Sequence, residues 1–107
     1  MIDYDGRRFR PAEDAGGTVA AYRQRDDLVW AEFTGGHVRR GSLTGLRRPD
    51  DSIEFAYTMV LADGSVLAGE CHSTPEVLPD GRIRLHERWE RFGRNAGTGT
   101  SELEEVR

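Results

Sequence analysis

Turn chemistry recurs along this chain too often for long helices and at the right interval for strands. Gly16-Gly17, Arg25-Asp26, Gly35-Gly36, Arg48-Pro49-Asp50-Asp51, Asp63-Gly64 and Pro79-Asp80-Gly81 break the sequence into short runs, and Gly93–Gly99 forms one more interruption. Gly-Gly and Asp-Gly supply the positive φ angles that tight hairpins demand. The runs between them alternate apolar and polar residues, which is the signature of half-buried strands. The pattern predicts strands at Arg8–Pro11, Thr18–Gln24, Leu28–Thr34, His37–Leu46, Ser52–Leu61, Ser65–Thr74, Arg82–Phe92 and Thr100–Val106. Only Pro11–Asp14 offers room for a helical turn, and Gly97–Ser101 reads as a flexible linker into the last strand.

Consecutive hairpins make an antiparallel up-and-down meander, which must either close or leave edges exposed. Eight strands close into a barrel whose interior is filled by side chains or holds one small ligand. The fold class expected is therefore all-β: an eight-stranded meander forming a small lipocalin-like or avidin-like barrel. With 107 residues the chain supports one domain, spanning 1–107.

Charge narrows the partners. The net charge is −4, which disfavours a nucleic-acid binder, because such proteins concentrate a basic face. All 15 basic residues counted with lysine are arginines, dispersed among 19 acids. That usage fits a GC-rich coding sequence better than a set of phosphate forks. No apolar run approaches the length of a membrane span. The first residues lack the basic and apolar regions of a secretion signal. The single Cys71 makes no internal disulfide, so a cytoplasmic location is expected.

Alternation also predicts what faces inward. Ile53, Phe55, Tyr57, Met59 and Leu61 share one face, and Ile83, Leu85 and Trp89 share another with Glu87 in their midst. A carboxyl there must be paired, protonated or open to a wet cavity. A two-residue Gly35-Gly36 turn pairs Phe33 with Val38 and Glu32 with Arg39. It places Trp30 over Gly41 and turns Arg40 and Ser42 inward, so that Arg40 meets Glu87. The Asp63-Gly64 hairpin allows two registers. A two-residue loop sends Val66, Ala68, Glu70 and His72 inside; a three-residue loop sends Leu67, Gly69, Cys71 and Ser73. The second is preferred because it leaves Glu70 and His72 in water.

Arg40, Tyr57, Cys71, Glu87 and Trp89 are accordingly the candidate ligand-binding residues of the interior. A small, partly apolar ligand is the expected partner, weighed against a fully packed core. An alternative is an interaction module using an exposed edge strand or an outer aromatic patch of Trp30 and Tyr22, with a homodimer as one form. A third reading uses Glu87 as a catalytic acid or base. No catalytic residue or metal ligand is assigned. Glu70, Cys71, His72 and His86 tempt, but adjacent strand residues point to opposite faces and cannot share one ion. Neither a phosphate loop, a dinucleotide fingerprint nor a Gly-x-Ser-x-Gly elbow is present, so no cofactor is expected.

The stretches Phe9-Arg10-Pro11, Glu32-Phe33-x-Gly35-Gly36, Gly69-x-Cys71-x-Ser73-x-Pro75-Glu76 and Ile83-Arg84-Leu85-His86-Glu87-x-Trp89 carry a resemblance across nearly the whole chain. They resemble a family of short bacterial proteins commonly labelled n-acetylglutamate synthase. That label implies an acetyltransferase acting on glutamate and acetyl-CoA. The usual Arg/Gln-x-x-Gly-x-Gly/Ala loop opening a helix is missing here, so no catalytic residue carries over, and the label is expected to be a misassignment.

Overall fold

The computed structural model describes residues 1–14 and 16–107. Its strands are β1 (Arg8–Pro11), β2 (Val19–Arg25), β3 (Leu28–Gly35), β4 (Val38–Arg47), β5 (Ile53–Leu61), β6 (Val66–Val77), β7 (Ile83–Arg91) and β8 (Gly97–Val106). Each strand pairs antiparallel with the next, and β1 pairs with β8, so the sheet is a closed barrel. Arg8↔Val106 through Pro11↔Leu103 form the closing ladder. Closure removes the free edge along this ladder, which overturns the edge-strand reading there. The expected helical turn at Pro11–Asp14 is a simple turn in which the Asp14 N–H donates to the Pro11 carbonyl at 3.3 Å.

The Asp63-Gly64 hairpin adopts the three-residue loop. Leu61 N–H donates to the Ser65 carbonyl, Gly64 has φ +89°, and Met59 pairs with Leu67. Leu67, Cys71 and Ser73 are buried as that register requires.

The β3–β4 hairpin differs from expectation. Its closing pair is Gly35↔Val38, and a bulge between Phe33 and Gly35 puts Phe33 opposite Gly41. Thr34 Oγ1 fills the irregularity by donating to the Arg39 carbonyl at 3.0 Å. The odd shift reverses most of β4: Leu43 is buried, while Arg40 stands outside, with 76% of its side chain exposed and 3.3 Å from Glu32. The expected Arg40–Glu87 meeting does not occur. Burying a guanidinium costs several kcal/mol, and the bulged register puts a leucine inside instead. Trp30 consequently faces Thr44 rather than Gly41.

Glycines opposite aromatics explain how so short a chain holds so many rings. Phe33 lies across Gly41, Phe55 across Gly45, Tyr57 across Gly69 and Trp89 across Gly99. At each glycine a Cβ would collide with the facing aromatic residue, so only hydrogen leaves the ring its seat. Gly97–Ser101, expected as a linker, is thus the first half of β8, with Gly99 shaped to Trp89.

The two mouths of the barrel differ. At one, the N-terminal segment folds in as a plug: Tyr4 is wholly buried and its hydroxyl donates to the Asp51 carbonyl at 2.6 Å. Ile2 is pinned from both sides, its N–H donating to Asp51 Oδ1 and its carbonyl accepting from Arg47, each at 2.9 Å. Phe9 and Tyr22 pack beside Tyr4, with Phe9 and Tyr22 ring centroids 4.8 Å apart. The other mouth, ringed by the β1–β2, β3–β4, β5–β6 and β7–β8 connections, has no such plug among the described residues.

Candidate functional site: the barrel interior

The alternation of β7 builds the site. Ile83 and Leu85 are buried toward the plugged end, and Glu87, Trp89 and Arg91 follow at the same parity toward the open one. A cavity of about 340 Å³ lies in front of them. That is near the small end of the roughly 300–1,000 Å³ typical of ligand sites. Its walls include Phe33, Phe55, Tyr57, Met59, Trp89 and Leu103.

Glu87 is the polar centre. Its Oε2 accepts from Ser73 Oγ at 2.7 Å and its Oε1 from Ser101 Oγ at 3.2 Å. No arginine or histidine forms an ion pair with it among the described residues. Burial pushes the carboxyl above the ordinary carboxylate range, and the hydrogen bonds from Ser73, Ser101 and Cys71 pull it only part of the way back. Cys71 sits 3.9 Å from Ser73 Oγ, and burial, reinforced by Glu87, drives its thiol upward. A thiol so protonated is a poor nucleophile.

Tyr22 belongs to this floor. The expectation of an outer Trp30–Tyr22 patch fails on this residue: Tyr22 is wholly buried, because Ala20 and Tyr22 take the inward parity of β2 and Ala21 and Arg23 the outward one. Its hydroxyl has no hydrogen-bond partner. Burial raises its phenol well above the usual value, and Glu87 adds to the rise.

At the rim the interior arginine is Arg91. Its guanidinium lies 4.9 Å from the centre of the Trp89 ring, within cation–π range. Burial raises the Tyr57 hydroxyl, and Arg91 opposes that rise.

Of the five residues expected inside, the structure brings Tyr57, Cys71, Glu87 and Trp89 to one cavity and leaves Arg40 outside. Sequence reading missed Tyr22, Ser101 and Arg91. Arg91 was readable by extending the alternation of Glu87 and Trp89 by two residues. Ser101 was hidden by the glycine-rich run before it. Cys71 faces inward while Glu70 and His72 face outward, so those three converge on no common point. His86 lies on the outer face, between Glu76 at 2.8 Å and Glu102 at 3.5 Å.

A closed eight-stranded meander, plugged at one end and with an aromatic-walled interior, is the architecture of small β-barrels whose interiors are filled by side chains or hold one small ligand. The chain belongs to the avidin-like family: the family model described as "Avidin-like protein" matches residues 2–106. No curated protein and no solved structure matches it.

Proposed function

We propose that this is a non-enzymatic, cytoplasmic binding protein that takes a small, partly apolar ligand through the open mouth. The observation that carries the reading is Glu87, a carboxyl without a cation, recessed in an apolar cavity and steadied by two serine hydroxyls. Such a group accepts from a ligand N–H, so the ligand head is of amine, amide or urea type. The partnerless Tyr22 hydroxyl supports this, since a buried unsatisfied hydroxyl costs about 1–3 kcal/mol that an acceptor on the same head relieves. The aromatic walls take the apolar body. On this reading the synthase label of the proteins it resembles does not describe its activity, since the shielded Cys71 and hydroxyl-held Glu87 serve as lining.

The test is native mass spectrometry of protein purified gently from its own type of host. A discrete added mass that disappears in Glu87→Ala supports the reading. A clean apo mass, together with no thermal shift across a panel of amides, ureas and amines, overturns it. A homodimer is part of the proposal, resting on Val66 and Phe92, which stand 70% and 47% exposed on the outer surface. Light scattering coupled to size exclusion checks it, and a monomer at all concentrations refutes that part alone.

A further inference from the structure

The ladder that closes the barrel is shorter than the strand it closes on. β8 runs from Gly97 to Val106, and β1 pairs only with Leu103–Val106. One further bond, from the Ala12 N–H to the Glu102 carbonyl at 2.9 Å, ends the contact. That carbonyl therefore points away from β7. Main-chain groups alternate sides along a strand, so the N–H and C=O of Thr98 and Thr100 point the same way. The connection after β1 turns on itself instead of reaching them: the Asp14 N–H donates to the Pro11 carbonyl and the Gly17 N–H to the Asp14 carbonyl. On that side the four main-chain groups have no hydrogen-bond partner among the described residues, and both threonines are exposed. Natural sheets blunt such edges with charged side chains, proline, bulges or a covering segment. Gly97–Ser101 carries neither charge nor proline, and its register with β7 runs unbroken from Gly97↔Arg91 to Ser101↔Glu87.

We propose that this half-edge of β8 is the docking site of an extended, basic polypeptide segment, which adds as an antiparallel strand beside Thr98–Glu102. The main chain sets the partner's conformation, since donors and acceptors spaced along one edge are matched by another strand. The side chains set its charge. Glu13 and Glu102 are exposed and line one groove with Thr100 and Ser101. The one cation within ion-pair distance of either, among the described residues, is His86 at 3.5 Å from Glu102. Arg88 and His86 stand one strand further in, opposite Thr100 and Glu102. In an antiparallel pair the residues opposite Thr98, Thr100 and Glu102 share their outer face and turn their own N–H and C=O toward β8. Basic residues at those positions meet the two carboxylates, and the alternate positions face inward beside Gly99 and Ser101. A second copy pairing through the same edge brings no cation to Glu13 or Glu102, so the partner is a separate chain.

Amide hydrogen exchange, read by NMR with the peptide acetyl-Arg-Val-Arg-Val-Arg-amide, tests this. In the free protein the Thr98 and Thr100 amides should exchange roughly tenfold or more faster than those of Gly99 and Ser101, which point to β7. The peptide is expected to slow the two threonine amides by roughly tenfold or more, an effect that weakens as salt rises. N-methylation of its valines should leave the protection intact, whereas N-methylation of its arginines removes the bonding donors and should abolish it. Slow exchange at both threonines in the free protein overturns the proposal, as does an absence of protection or equal protection by the arginine-methylated peptide. Equal protection by a peptide with citrulline in place of arginine overturns the basic character of the partner. Protection that grows with protein concentration alone makes the partner a second copy and overturns the separate chain. None of these readouts involves the interior, so they stand apart from the fate of the interior-binding reading.

Discussion

The plugged and open halves of this barrel are built from the same alternating strands yet do opposite things with their interiors. In the plugged half, Tyr4, Phe9, Tyr22, Val29, Ile53, Ile83 and Leu85 are all at or below 2% exposure, and the N-terminal segment seals them with hydrogen bonds between main-chain and side-chain groups. In the open half, Phe33, Met59, Trp89 and Leu103 are only partly buried and stand around empty space. A short chain needs a solid core to stay folded. Concentrating that core at one end leaves the other free to hold a cavity, and the difference teaches where stability and binding separate.

Removing an anchor from each half should break the comparison most visibly. Tyr4→Ala is expected to cost about 3–5 kcal/mol, because a buried ring and its hydrogen bond to Asp51 leave together. Phe33→Ala, at a site already beside the cavity, is expected to cost less than half of that. Urea denaturation of the two variants gives the ratio, and equal losses would show that the open half is as tightly packed as the plugged one.

Smaller effects come from the glycine seats. A Cβ at Gly45 meets the Glu54 carbonyl and the Phe55 backbone, which cannot move without disturbing the sheet. At Gly41 and Gly99 it meets only ring atoms of Phe33 and Trp89, which can swing toward the cavity. Gly45→Ala should therefore sit at or above the top of the roughly 1–3 kcal/mol range of overpacking, and Gly99→Ala near its bottom. Gly99→Ala should instead weaken ligand binding, because the displaced indole takes cavity volume. Thermal melts beside calorimetry separate the two.

The pH dependence of stability sharpens the contrast further. Glu87 has a folded pKa above its unfolded one, so the folded state binds more protons than the unfolded state in that window. Stability therefore falls as pH rises from the ordinary carboxylate range through the raised value, and Glu87→Gln should abolish that fall. Asp50, Asp63 and Asp80, held low by hydrogen bonds from Ser52, Ser65 and Arg82, act in the opposite sense. Their contribution is lost only as pH drops below the ordinary range. Denaturation of both proteins between about pH 2 and 8 resolves the two windows. The smallest expected effect is Arg40→Ala: its partner Glu32 is as exposed as it is, so neither melting temperature nor ligand affinity should change measurably.

Much of the architecture was legible in the residues. Turn residues separated all eight strands, although the start of β8 was read as a linker, and Arg82–Phe92 alone announced an inward face with a carboxyl in it. The choice between registers at Asp63-Gly64 also followed from chemistry, since one option would have buried Glu70 and His72. The Gly35-Gly36 hairpin was not legible. A bulge adds a residue without changing the local pattern, and β4, with Arg39, Arg40, Ser42 and Thr44 among glycines, has too few apolar residues to declare its inner face. Tyr22 was lost for a related reason: alanines at positions 20 and 21 make both faces of β2 look alike.

The sequence by itself determined the strand number, their hairpin order and the inward parity of β5, β6 and β7. Those features depend on contacts between near neighbours, where turn geometry and period-two alternation act directly. Tertiary structure alone decided that Arg40 stays outside, which end is plugged and which glycines seat which rings. Those outcomes depend on how strands far apart in the chain meet when the barrel closes, and a single bulged residue reverses the answer.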